Sequence, residues 1–209
     1  MSDRLLIRDG EVETAVIAEY EATRRAAVRR GLVLAGGAVA ASSIPLLLHV
    51  RNAFAKAEGD AAILERAIEL ERTAVIVYRT AASGDLLDAE VRKAAELFAQ
   101  QEAEHADALI AALSDLGGTA PKPPKAADVA GLDELDSQDE VLEFAIELEN
   151  MAVVAYDDAA ARLTRADLLK TTAQIVSNEA QHLVVLRQQL GEDPVPSAFE
   201  TGKEEVSRA

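Results

Sequence analysis

Between residues 64 and 186 the apolar positions fall into four series that step mainly by three and four. The first is Leu64, Ile68, Glu71, Val75, Tyr78 and Ala82, and the second is Val91, Ala95, Phe98, Glu102, His105, Leu109, Ala112 and Leu116. The third runs Leu142, Ala145, Glu149, Ala152, Tyr156, Ala160 and Leu163, and the fourth runs Leu168, Thr172, Ile175, Glu179, His182 and Leu186. Such spacing keeps side chains on one face of a helix, so four helices with inward stripes are predicted. The first should start near Asp60 as N-cap and end at Ser83-Gly84; Asp85 or Asp88 can cap the second, which stops at Gly117-Gly118. Pro121, Pro123 and Pro124 exclude a helix from 117–137. Ser137 or Asp139 caps the third helix, which runs to about Thr164, and the fourth runs from about Arg165 to Leu190 before Gly191. A helix of about 24 residues is about 36 Å long. The linker 117–137 can travel that distance and start the third helix from the same end as the second.

Each stripe is interrupted by residues that ordinarily avoid an apolar face. They recur. AIELERTAVIVY (67–78) and AIELENMAVVAY (145–156) agree at eight of twelve positions, with Glu71/Glu149 and Tyr78/Tyr156 offset by 78. QEAEH (101–105) and NEAQH (178–182) place Glu102/Glu179 and His105/His182 at an offset of 77. An internal repeat of two helices per copy is the reading.

A lone Glu from each of two helices and a Glu-x-x-His from each of the other two is the arrangement of di-iron and di-manganese four-helix bundles. Glu71, Glu102, His105, Glu149, Glu179 and His182 are the candidate metal ligands. Four carboxylates and two imidazoles suit two Fe ions, with Mn as an alternative. Charge balance points the same way, because four Glu in a low-dielectric core need protons or cations to neutralise them. A Glu-x-x-His also occurs on many helices as plain surface. Here the only two histidines after residue 55 both sit in it, and the only two tyrosines there both follow the lone Glu by seven. Glu102 and Glu179 are placed to bridge two ions, with Glu71 and Glu149 completing the ends. Each His then needs an acceptor on its other nitrogen, for which Glu69 or Glu147 is the candidate. Tyr78 and Tyr156 are either packed core tyrosines, donors to a ligand carboxylate on the facing helix, or catalytic electron donors.

Composition narrows the classes. There is no cysteine, hence no disulfide, thiolate site or iron–sulfur centre. Residues 56–209 carry fourteen basic against thirty-one acidic side chains, a balance that repels nucleic acid and attracts cations. Residues 1–23 hold too little pattern to assign. TRRAAVRR (23–30), the uncharged stretch 31–50 and Ala53-Phe54-Ala55 look like a twin-arginine export signal with a small-x-small cleavage site. An uncleaved anchor through 31–50 and a buried core helix are the alternatives. With Arg24, Arg25, Arg29 and Arg30 held on the cytoplasmic side, the acidic domain is expected outside, in the periplasm or cell envelope. The domain reading is 1–55 signal or anchor, 56–191 bundle and 192–209 irregular tail, without a fifth helix.

With these motifs in place, residues 60–191 resemble the ferritin-like proteins, close in pattern to bacterioferritin and rubrerythrin. The resemblance implies an all-α, ferritin-like four-helix bundle with a long crossover between helices 2 and 3. It also implies oxidation of Fe2+ by O2 or peroxide at Glu71, Glu102, His105, Glu149, Glu179 and His182. Rubrerythrin's cysteine-rich iron module is missing, and with only Met1 and Met151 available the haem-binding methionine of bacterioferritin has no counterpart. The missing fifth helix and the export signal argue against a storage cage, and leave a homodimer open. The functional expectation is a ferroxidase or peroxide-consuming oxidoreductase. The alternatives are a metal-binding, stress-protective envelope protein without turnover, and a purely structural bundle.

Overall fold

Alanine, leucine, glutamate and valine fill the periodic stretches, and the computed structural model folds them into four helices. They are α1 (Gly59–Ser83), α2 (Ala89–Asp115), α3 (Gln138–Ala160) and α4 (Ala166–Leu190). The structure describes residues 7–8, 11–12, 54, 56–126, 129 and 131–202. The stretch 23–50, on which the export reading rests, lies outside them, and among the described residues no helix is long and apolar enough to cross a membrane. By contacts the chain divides into two compact units, 1–39 and 40–209. In the first, β1 (Ile7–Arg8) and β2 (Glu11–Val12) form a two-residue antiparallel ladder, in a region where the sequence pattern assigned nothing.

Polar caps fix the helix ends. The Asp88 carboxylate accepts from the N–H groups of Glu90 and Val91, and Ser137 Oγ accepts from Glu140 N–H. Both satisfy donors that a helix N-terminus leaves unpaired. Gly191 ends α4 at φ +80°, a left-handed conformation that suits glycine. The carbonyl groups at the end of α1 are met from outside the helix. The Arg92 guanidinium donates to Ala82 O, to Gly84 O at 2.7 Å and to Leu87 O at 3.0 Å.

Hydrogen bonds between the ends settle the topology. Asp88 N–H donates to Gln138 Oε1 at 2.7 Å, so α2 and α3 start at the same end. Asp60 accepts from Thr164 N–H and Oγ1, each at 2.9 Å, so α1 and α4 start together at the other. Asp60 is therefore not an N-cap as expected; that position is Glu58, whose side chain makes no cap bond. The helices pair mainly as α1 with α2 and α3 with α4, and the crossover spans the bundle. This is the all-α, long-crossover bundle expected from the sequence.

Two boundaries move. Helix α3 stops at Ala160 rather than near Thr164, because its last turn tightens through Arg162 N–H to Ala159 O, and Thr164 is drawn to Asp60. The linker contains a short 3-10 turn at Leu132–Glu134, entered through Gly131 at φ +86°. Near the end of α2 the inward position is Leu113, fully buried, rather than Ala112 or Leu116. Continuing one residue off the steps of the earlier stripe, it follows Leu109 by four, as a helix of 3.6 residues per turn allows.

The core is one cluster of buried side chains between the four stripes, among them Ile68, Phe98, Leu109, Leu142, Ile175 and Leu183. Burying each such side chain stabilises the fold by about 1.5–3 kcal/mol. Phe54 joins this cluster at 1% exposure, and the Arg162 guanidinium donates to its carbonyl at 2.7 Å. Two irregular segments are also tied down. The Arg72 guanidinium donates to Pro121 O in the crossover. Arg187, buried in α4, pairs with Glu200 at 2.6 Å and donates to Asn150 Oδ1 at 3.4 Å, which holds the tail against α3. At Gly202 (φ +63°) a Cβ would lie 2.1 Å from Asn150 O, so only glycine lets the tail come this close.

Candidate metal centre

Because each Glu-x-x-His spans one turn, its carboxylate and imidazole share a helix face. Helices α2 and α4 present Glu102/His105 and Glu179/His182 to one another, while α1 and α3 bring Glu71 and Glu149. All six side chains predicted from the sequence converge. They form two overlapping groups: Glu71, Glu102, His105 and Glu179, and Glu102, Glu149, Glu179 and His182. In each group one donor atom per residue lies within 4.8 Å of the others, a set that could hold a metal ion.

The sharing is specific down to single oxygens. His105 Nδ1 lies 3.4 Å from Glu102 Oε2, 3.2 Å from Glu179 Oε1 and 3.3 Å from Glu71 Oε2. His182 Nδ1 lies 3.1 Å from Glu102 Oε1, 3.2 Å from Glu179 Oε2 and 3.2 Å from Glu149 Oε1. Glu102 and Glu179 thus turn one oxygen to each imidazole, whereas Glu71 and Glu149 each serve one end. The cluster is dry. Glu71, Glu102, Glu149, Glu179 and His182 are at most 1% exposed. Yet Glu102 Oε1 and both oxygens of Glu179 have no hydrogen-bond partner. A buried carboxylate left without donors is costly, and a cation is the ligand that relieves it.

Without a cation, protons must do this work. Burial, with the charges of Glu71 and Glu149 beside it, pushes the Glu102 carboxyl well above the usual range. Burial and the nearby Glu179 push Glu149 up to about 8. Burial alone would lower both histidines, but the surrounding carboxylates outweigh it and raise each to about 12. Glu179 goes the other way: the two imidazoles 3.2 Å away outweigh its burial and hold it at about 2. Protons on Glu102 and Glu149, with two imidazolium charges, cancel four carboxylates at neutral pH. Two divalent cations would replace those four protons.

The tyrosines bond across the bundle. Tyr78 Oη on α1 donates to Glu149 Oε1 on α3, and Tyr156 Oη on α3 donates to Glu71 Oε1 on α1. Of the readings open from sequence, packing in the core and donation to the carboxylate on the facing helix are both observed. The expectation for the second nitrogen of His182 is corrected. Glu69 pairs with Arg66 instead, and His182 Nε2 faces Gln101 Oε1 at 2.8 Å, because Gln101 on α2 looks across to α4. Phe98 stacks on the same imidazole at 4.0 Å between centroids and 29° between planes. Gln101 was not singled out from the sequence. An available signal was the amide that precedes the motif glutamate in both copies, Gln101 before Glu102 and Asn178 before Glu179.

A family profile described as a ferritin-like domain matches residues 59–192. Among solved structures, the chain is similar to a conserved hypothetical protein from Mycobacterium tuberculosis. The two share 21% identity at a TM-score of 0.53, over 66% of this chain and 94% of that one, a likeness of fold. No curated protein matches the chain.

Proposed function

The chain belongs to the ferritin-like domain family, and from that premise we propose that it is a di-metal carboxylate protein that oxidises Fe2+ with O2 or peroxide. The observation that carries this reading is Glu179: wholly buried, shared between two imidazoles, with neither oxygen hydrogen-bonded. Two Fe ions are the proposed occupants, with Mn as the alternative. Glu71 and His105 would hold one, Glu149 and His182 the other, and Glu102 and Glu179 would lie between them. Iron held there would supply the electrons. Two Fe2+ yield two, enough with two protons to reduce one O2 to hydrogen peroxide, or one peroxide to two waters.

The rest belongs to this chain's side chains. The Tyr156 hydroxyl holds Glu71 by the oxygen turned away from His105, and the Tyr78 hydroxyl holds Glu149 by the Oε1 that also faces His182, which orients both carboxylates before metal arrives. Buried beside the cluster, both phenols are pushed well above their usual pKa, so they keep their protons; in this reading they are the nearest groups able to yield an electron together with a proton. The apolar surround excludes water. Export of the acidic domain through residues 1–55, with 31–50 as anchor or cleaved signal, is part of the same proposal and rests on the arginine pairs, the uncharged stretch 31–50 and Ala53-Phe54-Ala55.

The test is metal analysis of protein loaded with Fe2+ without air, then exposed to O2 or peroxide and compared with Glu149→Ala. Two ions per chain and rapid oxidation that the variant loses are expected. Two bound ions without turnover would favour the non-catalytic metal-binding alternative, and no bound ions would leave only a structural bundle.

A further inference from the structure

The two ends of the cluster have the same ligand types but not the same support. His182 is 1% exposed, stacked on Phe98, and met at Nε2 by Gln101 Oε1. An amide oxygen can only accept, so Nε2 carries a proton whether or not a cation is bound, and Nδ1, which faces the carboxylates, is the nitrogen left to give up its proton and offer its lone pair to a cation. For His105 the counterparts by sequence offset are Ile175 for Phe98 and Asn178 for Gln101. Ile175 offers no ring to stack. Asn178 is one methylene shorter, and among the described residues no hydrogen bond joins it to His105, whose side chain is 13% exposed. One imidazole is therefore locked in tautomer and plane, while the other, among the described residues, is met by the carboxylates of Glu71, Glu102 and Glu179 without a stacked ring.

We propose that Gln101, with Phe98 behind the ring, is a positioning residue that presets His182 for a cation and makes the Glu149/His182 place the tighter of the two. This rests on the di-metal reading above and assigns it an order: the inner end fills first, and the Glu71/His105 end, nearer solvent, exchanges its ion. Carbonyl acceptors behind a metal-binding imidazole typically change affinity 10–100-fold, enough to separate two otherwise equal steps.

The experiment titrates the metal-free full chain with Co2+, followed by visible absorption, and with Mn2+, followed by the resonance of the free ion. Wild type should bind in two steps. Gln101→Leu should weaken the tighter step 10–100-fold and leave the weaker one in place, while Gln101→Glu, which keeps an acceptor, should preserve both. In Zn2+-loaded, 15N-labelled protein, the His182 Nε2–H signal should exchange slowly with solvent and be lost in Gln101→Leu, with the His105 signal unmoved. Equal weakening of both steps, no change in either, or a Gln101→Glu variant that behaves like Gln101→Leu overturns the assignment. A wild-type chain that takes up no metal overturns the di-metal reading itself, a different result from two steps indifferent to Gln101.

Discussion

Glu71 and His105 on the first hairpin, and Glu149 and His182 on the second, offer the same atoms to the interior. The first imidazole keeps 13% of its side chain in contact with solvent and the second 1%. The difference does not come from the ligands. Behind His182 the opposite hairpin places Phe98 and Gln101, and the positions at the matching offset for His105 are Ile175 and Asn178, which offer neither a ring nor an amide of the same reach. Duplicated ligands fix what the centre can bind, and the unduplicated neighbours fix how firmly each end binds it. The covering of the hairpins diverges too. Arg72 bonds the crossover carbonyl at Pro121, whereas Arg187 uses Glu200 and Asn150 to hold the tail.

Substitutions that strike both ends should have the largest effect. Glu179→Ala removes the carboxylate that turns one oxygen to each imidazole, and the metal content of reconstituted protein should fall from two ions towards zero. Glu71→Ala, confined to one end, should leave about one. Equal losses would mean that the ends are not separable. Next comes Phe98→Ala, which opens a cavity and should destabilise the metal-free protein by about 3–5 kcal/mol in urea. Ile175→Ala should cost less, about 2–5 kcal/mol, and should not touch His182.

Acidity sharpens the comparison further. Glu149 is raised to about 8 and both histidines to about 12, so the folded metal-free state holds protons that the unfolded chain has released. The Glu149 contribution is complete below its unfolded pKa of about 4.5 and fades as pH rises through 8; those of the histidines fade between about 6.5 and 12. Glu179, lowered to about 2, contributes above about 4.5 and loses this as pH falls to 2. The melting temperature of metal-free protein should therefore fall from pH 5 to 9, and Glu149→Gln should flatten the part below 8. Metal-loaded protein should show the opposite trend, since its ligands must be deprotonated. The smallest effect is expected from Tyr78→Phe and Tyr156→Phe, each losing one donor to a carboxylate for about 1.5–3 kcal/mol. Tyr78 shares Glu149 Oε1 with His182, whereas Tyr156 takes the Glu71 oxygen that His105 does not face, so unequal losses would place asymmetry in the carboxylates as well as the imidazoles.

The helices, the caps at Asp88, Ser137 and Gly191, and all six converging side chains were legible in the sequence. Spacing reports which face a residue occupies, and this centre is built from faces. What spacing cannot report is the partner across the gap. Gln101 lies beside the inward stripe, and only the placement of α4 opposite α2 brings it to His182. The same holds for Asp60, read as a cap from its neighbours in sequence and engaged instead by Thr164, 104 residues away. Arg187 would read as a surface cation, yet the folded-back tail buries it.

Phe54 ties the bundle to whatever lies upstream of it. Its ring fills the core and its carbonyl is gripped by Arg162, although it is the middle residue of the small-x-small triplet. A peptidase that cut after Ala55 would withdraw that stopper, a loss comparable to deleting a buried phenylalanine, about 3–5 kcal/mol. Cleavage at that bond would thus leave a looser vessel than the uncut chain, one whose interior carboxylates and imidazoles open to solvent more readily.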